Sequence, residues 1–382
     1  MVVLLKKKIS LWLCLLFFSL SFPVSVWADG QPQVSAKSAV LMNADDGQIL
    51  YAKNENDKRP MASTTKIMTA LITLETAAVD NKIVTITDNM VRVEGSSMGL
   101  KPGNKLSLKS LAEGMLVVSG NDAANSAAIA ISGSLDAFAS LMNQRAQQLN
   151  MTDTHFVTPS GLDNADHYTT AKDLAKLAKA AMQNPDFAAI ASKKSVSVEY
   201  VNPVQTIRFT NHNKLLTLYD GCIGVKTGFT KKSGRCLVSS AERNGIYLVA
   251  VTLDAPDDWN DHQKMLNYGF SQLSRYPVDD SSFISQIPVV GGTSNQVSVQ
   301  GGLGRDLIVN AEELQNIKRT VELPAFFYAP VQEGQTLGIV RYTLNGETLA
   351  TTEITASATV STAVVRKNLF QIFLDWIKDL FI

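Results

Sequence analysis

The sequence predicts a mixed α/β domain on a mainly antiparallel sheet, followed by a small all-β domain. Two observations carry this. Strand-like runs occur at 36–52 and again at Gly224–Lys226 and Arg235–Leu253, with helical patterns between them. A sheet gathered from both ends of a segment around helices is an α/β arrangement with antiparallel pairing. After about residue 275 the pattern changes to short β-prone runs broken by glycine pairs and turns. A chain of 382 residues has room for two or three domains at about 100–200 residues each.

Taken in order, Val40, Leu41 and Met42 close a first strand, Asn43 to Gly47 supply turn chemistry, and Ile49, Leu50 and Tyr51 start the return strand. Pro60 precedes a helical pattern that opens near Ser63 and runs through Leu74. Helices are expected over 105–118, over the alanine-rich 121–130, and over 134–149 and 170–182. Asn244-Gly245 is expected to turn the chain inside the last apolar run. Beyond 275, Gly334, Asn345-Gly346 and the alternation from Thr348 to Ile354 mark hairpins.

Both ends carry membrane-related signals. Lys6, Lys7 and Lys8 precede the apolar stretch Ile9 to Phe22, and Val26-Trp27-Ala28 precedes Asp29. That is the layout of a cleaved secretory signal peptide over 1–28; uncleaved, it would be a short anchor. From Arg366 the chain reads RKNLFQIFLDWIKDLFI, with Gln371, Asp375, Lys378 and Asp379 recurring at three- and four-residue steps. Seventeen residues rise about 25 Å as a helix, too short and too charged to span well. The pattern suits a helix lying in the membrane interface, with packing on a domain as the alternative. The resulting division is 1–28 signal peptide, 29–275 mixed α/β domain, 276–362 β domain and 363–382 amphipathic anchor, on the outer face of the cytoplasmic membrane.

The charge excludes one class of partner. Formal net charge is zero, and removal of 1–28 leaves 32 basic and 35 acidic residues, so no basic field points to nucleic acid. Cys14 leaves with the signal peptide. Cys222 and Cys236 flank a hairpin turning near 230–233; they are either a disulfide, which export permits, or two small buried hydrophobes. No C-x-x-C or other metal spacing occurs, and no cofactor is expected.

Three short motifs carry chemistry. Ser63-Thr64-Thr65-Lys66 opens an apolar helix, where positions three apart share a face. A lysine there must be paired or functional. Desolvation would lower its pKa and let it act as a base toward the serine. The bland reading is an N-cap serine with a surface lysine. Ser119-Gly120-Asn121 lies between two helical runs. Its hydroxyl could pass a proton to a leaving amine and its amide could hold a substrate backbone and Lys66; the bland reading is again a helix cap. Lys226-Thr227-Gly228 ends a strand. There a charge and a hydroxyl could meet a carboxylate, and Gly228 would admit a backbone closely; otherwise this is an ordinary edge strand.

Together the motifs read S-x-x-K, S-x-N and K-T-G in that order, spaced 56 and 107 residues apart. The chain resembles the low-molecular-mass penicillin-binding proteins, the serine-type D-alanyl-D-alanine carboxypeptidases. The likeness runs from about residue 33 to 382 through ASTTKIMTA, SGNDAAN, THFVTPSGLD, HYTTAKDLA, VKTGFT and DHQKMLNYGF. The resemblance implies a transpeptidase fold of the penicillin-binding-protein and β-lactamase type, with a helical subdomain. It implies Ser63 as nucleophile, Lys66 as base, and Ser119 with Asn121 as proton relay and positioning group. Lys226, Thr227 and Gly228 would meet the substrate, and the N–H groups of Ser63 and Phe229 would form the oxyanion hole. Peptidoglycan stem peptides would be substrates and β-lactams covalent inhibitors.

One departure stands out. Some members carry a carboxylate-binding arginine after the strand equivalent to LVAVTL, and the segment here, DAPDDWNDHQK, has none. His262 is a candidate replacement, with a packed, structural histidine as the favoured reading. The alternatives are a β-lactamase, a D,D-endopeptidase or a non-catalytic wall-binding protein. A class A β-lactamase needs a glutamate for deacylation, and THFVTPSGLDNADHY contains none. Intact motifs argue against a non-catalytic role.

Overall fold

The computed structural model describes residues 30–364 and 369–380; the expected signal peptide lies outside them. The central sheet is formed by β1 (Ser38–Asn43), β2 (Ile49–Lys53), β3 (Cys222–Thr230), β4 (Gly234–Arg243) and β5 (Ile246–Leu253). Its order is β2-β1-β5-β4-β3, antiparallel throughout. Asn244 and Gly245 have φ of 54° and 78°, the left-handed pair that a two-residue hairpin requires. Both faces of the sheet are covered. Val249, Val251 and Leu253 enter one core and Leu248 and Ala250 the other, which is why this strand reads as a continuous apolar run.

One face carries helices α1 (Lys66–Val79), α2 (Leu108–Val117), α3 (Asn121–Ser132), α4 (Leu135–Gln148) and α5 (Ala171–Gln183). Helix α6 (Asp258–Gln272) covers the other. Ser107, Ser134 and Thr170 cap α2, α4 and α5 by accepting from the N–H three residues on. Ala123, Ala124, Ala127 and Ala128 are all buried, which lets α3 sit inside the helical layer.

Three details differ from the sequence expectation. Residues 105–107 form a strand paired with Ile83–Thr85, and the helix begins only after the Ser107 cap. Residues 195–200 and 205–210 form a hairpin whose SVSVEY alternation was legible but not assigned. Cys222 and Cys236 are both free. Cys236 faces Gly228 across the ladder while Cys222 faces Ala241, so six residues, about 20 Å of strand, separate them along the ladder. A disulfide needs Cα atoms within about 7 Å, so the cross-strand pair is excluded and the small-hydrophobe reading holds for Cys236.

The second sheet comprises β6 (Ile284–Val290), β7 (Gln296–Gly301), β8 (Lys318–Glu322), β9 (Phe327–Tyr328), β10 (Thr336–Leu344) and β11 (Glu347–Ala356). Its order is β8-β10-β11-β7-β6-β9. Asn345-Gly346 turns β10 into β11, while Gly334 lies in the turn leading into β10. Buried Asp280 accepts from Arg319 at 2.7 Å, from Tyr342 at 2.9 Å and from Thr352, a closed polar network inside an apolar sheet core. Helix α7 (Leu369–Leu380) exposes Ile372, Phe373, Leu374 and Trp376. Among the described residues, no helix is long and apolar enough to cross a membrane.

Candidate active site

Ser63 sits in a 3-10 turn, Ala62–Thr65, that leads straight into α1. Thr64 and Thr65 bend this turn by donating their hydroxyls to Met61 O and Ala62 O at 2.5 and 2.8 Å. Lys66, the first residue of α1, is 0% exposed. Its Nζ lies 2.8 Å from Ser63 Oγ and donates to Ser160 O at 2.6 Å. Burial, and secondarily the Lys226 charge, hold the Lys66 amine well below its usual range. Such an amine is neutral often enough to take a hydroxyl proton.

The turn is supported from below by residues 154–168. Thr69 donates to Pro159 O at 2.6 Å. His167 accepts from Val157 N at Nδ1 and faces Thr65 Oγ1 at 2.8 Å through Nε2. Because Nδ1 accepts and the Thr65 proton is spent on Ala62 O, Nε2 carries the ring proton. Burial keeps this histidine neutral, with its pKa pushed down to about 4. Gly161 has φ of 84°, and a Cβ there would stand 1.9 Å from Ala62 O. Only glycine lets this loop pass so close to the Ser63 turn.

Ser119 reaches the site from the head of α3, held at φ of 62°. A non-glycine residue in that region costs about 1–3 kcal/mol and persists only where its surroundings impose it. Asn121 donates from Nδ2 to Glu94 O at 2.6 Å and from its backbone N to Ser96 O at 2.7 Å. Its Oδ1 is buried without a protein partner. The expected Asn121–Lys66 contact does not form: Lys66 Nζ donates to Ser63 Oγ and Ser160 O, and the Asn121 oxygen that could accept from it has no protein partner. Asp122 completes the fastening of segment 94–100 by accepting from Ser97 Oγ, Met98 N and Leu100 N at 2.6–3.0 Å.

The third motif lies on edge strand β3. A Cβ on Gly228 would lie 3.1 Å from Ser63 N and 3.0 Å from Thr64 N, so the strand and the Ser63 turn meet at a glycine. Lys226 is buried, donates to Thr227 O at 2.9 Å, and is pushed down to about 7 by desolvation. Ser63, Ser119, Thr227, Gly228 and Phe229 line a cavity of about 340 Å³, with Ser96, His212, Lys214, Arg235, Asp258 and Trp259 completing its wall. Lys66, Asn121 and Lys226 stand behind that lining, all buried.

Residues 25–257 match the family model described as D-alanyl-D-alanine carboxypeptidase. Residues 274–362 match that described as penicillin-binding protein 5, C-terminal domain. The chain belongs to the D-alanyl-D-alanine carboxypeptidase family. It is 32% identical over 363 residues to the D-alanyl-D-alanine carboxypeptidase DacF of Bacillus subtilis, covering 90% of each chain. It is 32% identical to DacC of Escherichia coli over 83% of this chain and 82% of that one. The solved penicillin binding protein 5 of Haemophilus influenzae aligns at a TM-score of 0.63 with 29% identity, covering 86% of this chain and 98% of that one. The chain is thus a low-molecular-mass penicillin-binding protein and a D-alanyl-D-alanine carboxypeptidase, and the β-lactamase alternative is not favoured.

In this carboxypeptidase His262 is not a carboxylate ligand. It is fully buried, bonded to Ser239 Oγ at 2.6 Å and Thr252 Oγ1 at 3.0 Å, and held down to about 3 by desolvation. It ties α6 to β4 and β5 and is absent from the cavity wall. The residues not foreseen are Ser96, His212, Lys214, Arg235, Asp258 and Trp259, which belong to none of the three motifs. Asp122, inside SGNDAAN, was missed as the clamp on segment 94–100. No cluster of metal-ligating groups occurs among the described residues.

Proposed function

We propose that Ser63 is the nucleophile of the carboxypeptidase reaction and Lys66 its base. The observation that carries this is the buried amine 2.8 Å from the serine hydroxyl, held below its ordinary pKa. Ser63 Oγ bonds to the carbonyl carbon of the penultimate D-alanine as its proton passes to Lys66. The N–H groups of Ser63 and Phe229 hold the resulting oxyanion. Collapse breaks the C–N bond, and Ser119 passes the proton from Lys66 to the departing amine of the terminal D-alanine. Water then cleaves the ester by the reverse route and restores Ser63. Asn121 Oδ1 is free to accept a substrate N–H, Gly228 admits the substrate backbone to the edge of β3, and Lys226 and Thr227 face the carboxylate end. Stem peptides of peptidoglycan are the substrate. β-Lactams acylate the same serine and leave slowly, because the 154–168 loop offers no glutamate to activate water. Mass spectrometry of penicillin-treated protein tests the assignment. The adduct is expected on the peptide holding Ser63 and lost in Ser63→Ala; an adduct on any other peptide would sink it.

The chain divides, on the same proposal, into a signal peptide (1–28), a catalytic domain (29–275), a β spacer (276–362) and an anchoring segment (363–382). The mature enzyme is exported and sits peripherally on the outer face of the cytoplasmic membrane. The apolar side chains that α7 leaves exposed support this reading.

A further inference from the structure

The wall segment DAPDDWNDHQK, which lacks an arginine, instead places Asp258 and Trp259 at the cavity. Both engage an arginine from a different element. Arg235 on β4 donates from Nη2 to Asp258 Oδ1 at 2.7 Å, and its guanidinium lies 5.5 Å from the Trp259 ring centroid. Arg235 stands directly opposite Phe229 in the β3–β4 ladder, while Thr227 stands opposite Leu237. Strand residues two apart share a face, so Thr227, Phe229 and Arg235 are on one face of the sheet. The diagonal from Arg235 to Thr227 is about 7–8 Å, within reach of an arginine side chain. The Arg235 side chain is 41% exposed and Asp258 only 3%. The carboxylate is therefore buried behind the guanidinium, and the guanidinium borders the cavity that holds Ser63.

A guanidinium has five N–H donors in a fixed fork and can serve two carboxylates at once. Asp258 takes one donor and sets the orientation. Resting on the site assignment above, we propose that Arg235, with Thr227, receives the terminal α-carboxylate of the substrate. Asp258 and Trp259 are then positioning residues that hold the fork toward it. The ligand class is a peptide ending in a free carboxylate one residue beyond the scissile bond. This makes the enzyme a carboxypeptidase in preference to an endopeptidase, since a peptide that continues past that residue presents an amide to Arg235 and leaves the fork unpaired.

The test compares kcat/KM on an N-acylated L-lysyl-D-alanyl-D-alanine and on the same peptide closed by a C-terminal carboxamide. Wild type is expected to prefer the acid. Arg235→Gln is expected to lose about 10- to 100-fold more on the acid than on the amide, the range of one charged hydrogen bond. Arg235→Lys, which keeps the charge and loses the fork, should recover part of the preference. Asp258→Asn should lower the acid-to-amide ratio when Arg235 is present and leave it unchanged in the Arg235→Gln background; a purely structural role would lower both peptides equally in either background. Equal losses on both peptides in Arg235→Gln would overturn the proposal. So would a collapse of the ratio in Lys214→Gln in place of Arg235→Gln. Wild type that cleaves acid and amide equally removes the Arg235 assignment alone, whereas wild type that cleaves neither removes the catalytic reading on which it rests.

Discussion

Lys66 is an apolar-core residue by position and, on the proposal above, a base by chemistry, and the two are linked. An amine taken out of water loses most of its preference for the proton. The folded state therefore holds fewer protons than the unfolded chain from the lowered pKa up to the usual value of 10.5. Stability rises with pH wherever the unfolded state binds more protons. Lys226, pushed to about 7, adds to the same slope. Lys66→Met removes the titrating group at nearly constant volume. Acylation by penicillin is expected to fall by about 10²–10⁴-fold, the usual worth of a positioned base. The urea midpoint should climb less between pH 7 and pH 9 than in wild type. An unchanged slope would mean that Lys66 titrates normally in the fold, and near-wild-type acylation would remove it as the base.

At the scale of elements, the 154–168 loop and the Ala62–Thr65 turn form a single contact, and Gly161 shows how tight it is. Gly133 makes a useful control. It closes α3 at φ of 81° with open space where a Cβ would go, whereas Gly161 at 84° would meet Ala62 O. Both alanine variants bear the left-handed penalty of about 1–2 kcal/mol. Only Gly161→Ala must also displace backbone beside Ser63. Gly133→Ala is expected to lose about that much stability and to keep its acylation rate. Gly161→Ala should lose more stability and most of its acylation rate. Thermal melts and penicillin acylation rates measure both. Equal acylation in the two variants would show that the loop does not set the position of the turn.

Over the whole molecule, the catalytic motifs all lie before residue 231, while the apolar helix α7 lies beyond a separate β-sheet. Ile372, Phe373, Leu374 and Trp376 are exposed, and Phe373 stacks on Trp376. Complete burial is worth roughly 1.5–3 kcal/mol for each large apolar side chain, and the tail carries nearly balanced charge. Membrane attachment should therefore resist high salt and yield to detergent. Truncation after Val365 is expected to release a soluble enzyme with unchanged turnover of a small D-alanyl-D-alanine peptide. Fractionation after a salt wash, beside a peptide assay, checks this. A truncated protein that still pellets removes α7 as the anchor, and one that loses peptide turnover makes α7 part of a domain.

What the sequence determined by itself was whatever is carried by neighbours along the chain. Ser63 and Lys66 share a helical turn, Asn244-Gly245 and Asn345-Gly346 have only one comfortable backbone conformation, and the S-x-x-K, S-x-N, K-T-G order marks the family. The helical pair and the two turns rest on local geometry, so spacing suffices, and the motif order marks the family by resemblance. The second group of wall residues was not legible, because their relation exists only across the sheet. Arg235 and Asp258 are 23 residues apart and meet because β4 and α6 are packed together, and nothing in either segment names the other. The same cause decided the alternatives that the chain alone leaves open. The Cys222–Cys236 pairing failed on register, since a shift of a few residues along a ladder changes every partner. His262 is the packed, structural histidine of the two readings, a choice the α6 pattern leaves open because it does not say whether a polar residue faces the cavity or the sheet. Asn121 lacks its expected lysine partner because Lys66 Nζ is held instead by Ser63 Oγ and by Ser160 O, which is distant in sequence. Tertiary packing decided which face each polar group joined, and a polar group in a dry interior takes whichever partner the packing brings within about 3 Å.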